Sequence, residues 1–179
     1  SKLFDSPARP EVERLIEPDI DELRVILRGV FMIRELSRKS FESLSGIGER
    51  LSSKIIATYL NAEWFDSRAF IKTNYEYGRN QVIVDETNHL LDAVKGRLGK
   101  LSLFPGFISS NNRDENTTLG RGGSDYTAAL LAAAFGADVL EIWTDVDGFM
   151  TADPRVISRA YCIDKLSYSE AMELSHFGA

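Results

Sequence analysis

A three-layer α/β fold, with helices packed on both faces of a mostly parallel open sheet, is predicted by two features of this sequence. Strand patterns alternate with helical ones along the chain, the arrangement that builds a parallel sheet through crossover helices. Within it, Thr117 to Gly148 reads as a turn rich in Gly, Arg and Ser, then a small-residue helix, then Val139 to Trp143. That last run is short and mostly apolar, of the kind buried in a parallel sheet. It ends in the acidic loop Thr144-Asp145-Val146-Asp147-Gly148. Ligands of open α/β sheets bind outside the carboxyl ends of strands. Two polar, glycine-containing loops about one helix apart therefore predict one site fed by both.

The elements follow in order. Residues 1–10 are polar and Pro-containing, a flexible lead-in. From Glu11 the pattern is helical, with a break or new start at Pro18, and Leu23, Ile26, Leu27 and Val30 mark an apolar face. Ser40 starts a second helix with the stripe Phe41, Leu44, Ile47, Leu51 and Ile55. Gly46 and Gly48 cost roughly 1 kcal/mol each inside a helix, so its start is left open between Ser40 and the residues after them. Glu63 to Ser67 and Gln81 to Asp85 read as strands, with Tyr75 to Gly78 a turn or flap between them. Glu86 to Leu98 is an amphipathic helix, and Leu101 to Ser109 a strand interrupted at Pro105-Gly106. Asn111 to Asn116 is a hairpin tip. In the next helix Ser124 is the expected N-cap, Asp125 lies in the first turn where the macrodipole favours an acid, and Gly136 is the C-cap. Tyr126, Ala129, Leu130 and Ala133 share a face of it. Ser167 caps a last helix carrying Ala171, Met172 and Leu174.

With 179 residues, 44% hydrophobic and 27% charged, the chain has the length and composition of one soluble α/β domain. A net charge of −6 argues against nucleic-acid binding, which rests on clustered Lys and Arg. No apolar run is long enough to cross a membrane. The single cysteine, Cys162, can form no internal disulfide and fits a reducing cytoplasm. The two histidines, His89 and His176, have no Cys or His at ligand spacing, so no metal site is expected. Trp64 and Trp143 are expected to pack a core or an interface.

The run Thr117-Thr-Leu-Gly-Arg-Gly-Gly-Ser-Asp125, followed by Thr144-Asp-Val-Asp-Gly148 and Thr151-Ala-Asp-Pro-Arg155, resembles the catalytic domain of aspartate kinases in the amino-acid kinase superfamily. Gly48 to Ile55 and Glu170 to Ala179 are similar to that family too, and the likeness runs in order from about Glu11 to the last residue. The wording of residues 141–148 and 168–179 leans toward the form fused to homoserine dehydrogenase. The resemblance implies an amino-acid kinase (carbamate kinase-like) fold over residues 11–179, incomplete at both ends. Aspartate kinases open with a strand and a Lys-Phe-Gly-Gly-Thr-Ser loop at the transferred phosphate, and carry another Lys and regulatory domains after the point where this chain stops. A fragment that is weakly active or inactive alone is the expectation. A homo-oligomer is expected of the full-length protein.

The resemblance also implies roles, each beside a plainer reading. Arg121 binds the carboxylate of aspartate through its planar fork, or is a loop arginine in solvent. Glu49 receives the α-ammonium group, or is a solvent-facing charge on a helix. Ser124 lines the aspartate pocket and Asp125 organises the reacting groups; both also serve as helix-start residues. Thr144 and Asp145 border the nucleotide, and Arg155 reaches the ATP phosphates or is a surface arginine after a Pro turn. Met150 stands by the nucleoside where the family usually has Tyr, which removes a stacking or hydroxyl contact. No Gly-x-x-x-x-Gly-Lys-Ser/Thr or His-Arg-Asp signature is present, so the P-loop and protein-kinase solutions are out.

The expectation is an enzyme that transfers the γ-phosphoryl of ATP, with magnesium carried on the nucleotide, to the β-carboxylate of L-aspartate, opening the synthesis of lysine, threonine and methionine. The alternatives are a glutamate or nucleoside monophosphate kinase of the same superfamily, or a non-catalytic binding module on the same fold.

Overall fold

Two long helices lead the chain in the computed structural model, which describes residues 9–176. α1 (Arg9–Ile33) continues through Pro18 without a break. The hydrogen bond lost at Pro18 is offset because the inward face is anchored on both sides of it, with Val12 and Asp19 buried and Ile16, Leu23, Ile26 and Val30 half-buried. Residues 1–8 of the expected lead-in lie outside the described residues; Arg9 and Pro10 already belong to α1. α2 (Arg38–Leu60) begins ahead of Ser40, capped by the Ser37 hydroxyl, which accepts from the Ser40 N–H. It runs through both glycines. Gly46 earns its place by packing: a Cβ there would stand 3.0 Å from Ile108 Cγ2, so the glycine lets α2 lie against the sheet. The buried face is Glu42, Gly46, Ile47, Arg50, Ser53 and Ala57, while Phe41 of the expected stripe is exposed.

Charge holds α1 to α2. Asp19 accepts from Lys54 Nζ at 2.5 Å and pairs with Arg50 Nε at 3.3 Å, and Arg50 Nη2 reaches Glu22 at 2.5 Å. Asp19 and Arg50 are both almost fully buried. Buried ions persist only when paired in this way.

The strands are short. β1 (Glu63–Trp64) pairs in parallel with β4 (Ser102–Leu103). A second, mixed sheet has the order β3-β2-β5-β6, formed by β2 (Lys72–Glu76), β3 (Arg79–Val82), β5 (Ile108–Asn111) and β6 (Asn116–Thr118). Its β2–β5 pair is parallel, and its β2–β3 and β5–β6 pairs are hairpins. The expected turn at residues 75–78 is real: Glu76 faces Arg79, and Tyr77 and Gly78 both take positive φ (51° and 80°), the conformation of a two-residue primed turn. Pro105-Gly106 separates β4 from β5 as expected, and residues 111–116 form the next tip. α3 (Val84–Lys95) and α4 (Gly123–Phe135) cover an aromatic core in which Phe65 stacks on Phe104 at 4.8 Å, with Leu91 and Val94 beneath and Leu131, Ala134 and Phe135 against it.

Three expectations around α4 are corrected. Its N-cap is Gly122, in the left-handed conformation, and Ser124 lies inside the first turn with no capping bond. Its buried residues are Gly123, Thr127 and Leu130, while Tyr126, Ala129 and Ala133 are exposed, so the inward face is rotated from the expected one. Thr127 is drawn inward because its hydroxyl accepts from the Phe107 N–H and donates to the Gly123 carbonyl. Gly136, at φ 66°, ends the helix as expected. Val139 to Trp143 is not a strand and is not buried: Val139 is 71% and Trp143 89% exposed. A strand in a sheet interior needs neighbours on its edges, and none pairs with this run among the described residues.

The chain divides into two units, Ser1–Leu140 and Glu141–Ala179. In the second, Met150 bridges Cys162, and the Cys162 thiol points at the Asp147 carbonyl, 3.6 Å away. α5 (Tyr168–His176) begins with a reciprocal cap: the Ser167 N–H and hydroxyl both reach Glu170 Oε2, and the Glu170 N–H returns to Ser167 Oγ at 3.3 Å. Residues 177–179 lie outside the described residues.

Candidate active site

The glycine turn is built by its neighbours. Leu119 N–H donates to the Phe107 carbonyl as β6 ends, and the Gly123 N–H closes back on the Gly120 carbonyl at 3.0 Å. Gly120 and Gly122 take φ of 72° and 74°, which places Arg121 at the apex of a tight bend. Two close approaches fix where the bend delivers α4. A Cβ on Gly123 would meet Leu119 Cβ at 2.9 Å, and one on Gly106 would meet the Ser124 Cα at 2.9 Å. The Pro105–Phe107 bend therefore abuts the first turn of α4, which carries Ser124 and Asp125.

Arg121, Ser124 and Asp125 are exposed, and none of their side chains has a hydrogen bond or ion pair among the described residues. The helix start supplies backbone N–H groups and positive partial charge beside them. A guanidinium, a hydroxyl and a carboxylate held on one rigid bend can grip a polar, doubly charged small molecule. Glu49 sits apart from them in sequence, half-buried on α2, and its carboxylate likewise has no partner among the described residues. α2 packs along β6, the strand that leads into the bend.

The nucleotide candidates all belong to the second unit. Thr144 and Asp145 are exposed, with the Thr144 hydroxyl 3.2 Å from Asp145 Oδ1. Met150 is half-buried. Arg155 is engaged: its Nε and Nη2 hold the two Asp153 oxygens at 3.0 and 2.9 Å. Hydrogen bonds from Arg155 hold the Asp153 carboxyl below its usual range, and the same bonds raise Arg155. To reach a phosphate Arg155 must exchange this partner.

Two polar groups of the first unit, one of them bonded to the strand that leads into the bend, were not singled out from sequence. Asn80, in β3, donates to Glu42 Oε1 and to the Thr118 carbonyl, both at 2.8 Å. Lys72 is buried and reaches Ser110 Oγ and Asp114 at 2.9 and 2.8 Å. No local motif marks either one; only the fold brings their partners close.

Known proteins with this pattern are consistent with one another. The model of the amino acid kinase family matches residues 8–179. The lysine-sensitive aspartokinase 3 of Escherichia coli is 37% identical over 94% of this chain and 40% of its own length. The bifunctional aspartokinase/homoserine dehydrogenase of Haemophilus influenzae is 35% identical over 92% of this chain and 21% of its own length. Among solved structures, E. coli aspartokinase III in complex with aspartate and ADP (R-state) superposes with a TM-score of 0.85 at 38% identity, covering 98% of this chain and 40% of that one. The same enzyme with lysine and aspartate (T-state) gives 0.77. The chain thus spans about two fifths or less of the length of these relatives. With the family pattern running through all but its first seven residues, this chain belongs to the amino acid kinase family.

Proposed function

We propose that this chain carries the acceptor and nucleotide residues of an aspartate kinase, which transfers the γ-phosphoryl group of ATP to the β-carboxylate of L-aspartate and forms 4-phospho-L-aspartate. One observation carries the reading: the Gly120–Gly123 bend presents Arg121, Ser124 and Asp125 with no polar partner among the described residues, in a chain superposable over 98% of its length on an aspartokinase solved with aspartate and ADP. In this reading Arg121 takes a carboxylate of aspartate bidentately and Glu49 takes its α-ammonium, which selects amino acids over plain dicarboxylates. Ser124 lines the same pocket. Asp125 orients the reacting groups. Transfer through a loose transition state asks for positioning and charge neutralisation more than for covalent catalysis.

Thr144, Asp145 and Met150 border the nucleotide, and Arg155 meets its phosphates after leaving Asp153. Among the described residues no three His, Cys, Asp or Glu side chains gather as a metal cage. Magnesium would arrive bound to the nucleotide phosphates, where it neutralises charge. No described helix is long and apolar enough to cross a membrane. We place the protein in the cytoplasm, in the first step toward lysine, threonine and methionine, and expect it to act as a homo-oligomer.

The test is an ATP-dependent assay with hydroxylamine as trap, since an acyl phosphate yields a hydroxamate. It is run on this chain and on the chain joined to its flanking coding sequence. Saturable, aspartate-dependent hydroxamate is the expected result, stronger in the extended protein. Turnover of glutamate or a nucleoside monophosphate instead would replace the substrate assignment. Absence of aspartate binding by calorimetry in both proteins would overturn the reading and favour a non-catalytic module.

A further inference from the structure

The β2–β3 hairpin and β6 occupy opposite ends of the strand order β3-β2-β5-β6, yet one side chain joins them. Asn80, on the far strand of the hairpin, uses its amide hydrogens on Glu42 Oε1 of α2 and on the carbonyl of Thr118, each at 2.8 Å. Thr118 is the last residue of β6 and stands three residues before Arg121. The Glu42 carboxylate is nearly buried and also accepts from Arg38 Nη1 at 3.2 Å, and the Arg38 guanidinium lies 3.6 Å over the Tyr75 ring of the same hairpin. Arg38 Nη1 also donates to Asn80 Oδ1 at 3.4 Å, so the hairpin is folded over the face that bears α2 and fastened there by three contacts. Glu42 is two helical turns ahead of Glu49 on that helix.

We propose that Asn80, with Glu42, is a positioning residue for the acceptor: it fixes the root of the Arg121 bend, the Glu49 helix and the Tyr75–Gly78 tip relative to one another. The inference rests on the reading of Arg121 and Glu49 as the groups that hold aspartate. The chemistry of the pin is specific. The neutral Asn80 amide gives one hydrogen to a carboxylate and the other to a carbonyl at once. A carboxylate at position 80 loses both donors and stands beside the Glu42 carboxylate, a repulsion that Arg38 Nη1, 3.4 Å from Asn80 Oδ1, offsets only in part.

The test uses Asn80→Asp and the exchanged pair Asn80→Asp with Glu42→Gln, in the full protein, with two readouts. Hydrogen exchange of residues 72–82 in the free protein should accelerate in the single variant and slow again, in part, in the exchanged pair, where Gln donates to the new carboxylate and restores the contact to α2 but not the one to Thr118. In the same proteins the KM for aspartate should rise about tenfold or more in the single variant and recover only in part in the exchanged pair, whose Thr118 carbonyl still lacks the donor it has in the wild type, while kcat and the KM for ATP stay within about twofold, since a displaced binding group is costly without touching the transfer step. Unchanged exchange in Asn80→Asp overturns the pin. Faster exchange with an unmoved aspartate KM overturns the positioning role and leaves a structural bond only. A wild-type protein that neither binds nor turns over aspartate fails the functional reading itself, and this inference with it.

Discussion

Two groups of charges in the first unit behave oppositely, and the contrast separates structure from function. Between α1 and α2, Asp19, Arg50, Lys54 and Glu22 are mutually paired, and Asp19 and Arg50 are sealed from water. On the glycine bend, Arg121, Ser124 and Asp125 face solvent and take no partner among the described residues. The first group is satisfied by folding; the second is unpaired among the described residues, which the proposed acceptor role requires. Variants of the two groups should therefore fail in different measurements.

The largest effect is expected at Asp19. Asp19→Ala leaves buried cations short of their carboxylate and should cost about 3–5 kcal/mol in denaturant unfolding. Loss of under about 1 kcal/mol would mean that Glu22 alone satisfies the cluster. Next is Asp125→Asn, which keeps the shape of the first helical turn. It should lower kcat by about a hundredfold to a thousandfold, the range for removing one group that organises transition-state charge, with the melting temperature within a few degrees of wild type. A large loss of stability there would move Asp125 into the folded-in class. Arg121→Lys tests the fork: the KM for aspartate should rise about tenfold or more, because a bidentate charge-assisted pair becomes a single contact, while unfolding is unchanged.

The smallest effect concerns a half-exposed pair that belongs to neither group. Burial pushes the Asp66 carboxyl up, but hydrogen bonds and charge from Arg68 outweigh it and hold the folded value below the ordinary 3.8. A carboxyl depressed by folding stabilises fully above its unfolded value and ceases to do so as the pH falls through the folded one. The stability difference between wild type and Asp66→Asn should accordingly be constant near neutrality and shrink below about pH 3.8. A difference that grows on acidification would contradict the assigned direction.

How much was legible in the sequence depends on whether a local rule decides the residue. Gly136 at the end of α4, Ser167 before α5, the 77–78 turn and the break at Pro105-Gly106 were all readable, because caps and turns are settled by neighbours in the chain. The bend and Asp125 in the first helical turn were readable for the same reason. Pro18 inside α1 was not, since its local penalty is overridden by packing on α2. Ser124 was misread as the cap because Gly122, in the left-handed conformation, already ends the bend. Val139 to Trp143 has strand composition, but a strand is a relation between segments and the described residues give it no partner. Asn80 was invisible because the two acceptors of its amide, Glu42 on α2 and Thr118 on β6, each lie 38 residues away.

Gly106 gives the bend a mechanical property. Its bare Cα faces the backbone of Ser124 with no room for a methyl group between them, so the strand-to-strand corner and the start of α4 touch as two hard surfaces. A displacement of the start of α4 toward this corner meets the corner at once, without slack. Replacing Gly106 by Ala would act as a wedge, displacing the helix start while the side chains of Arg121, Ser124 and Asp125 remained chemically intact.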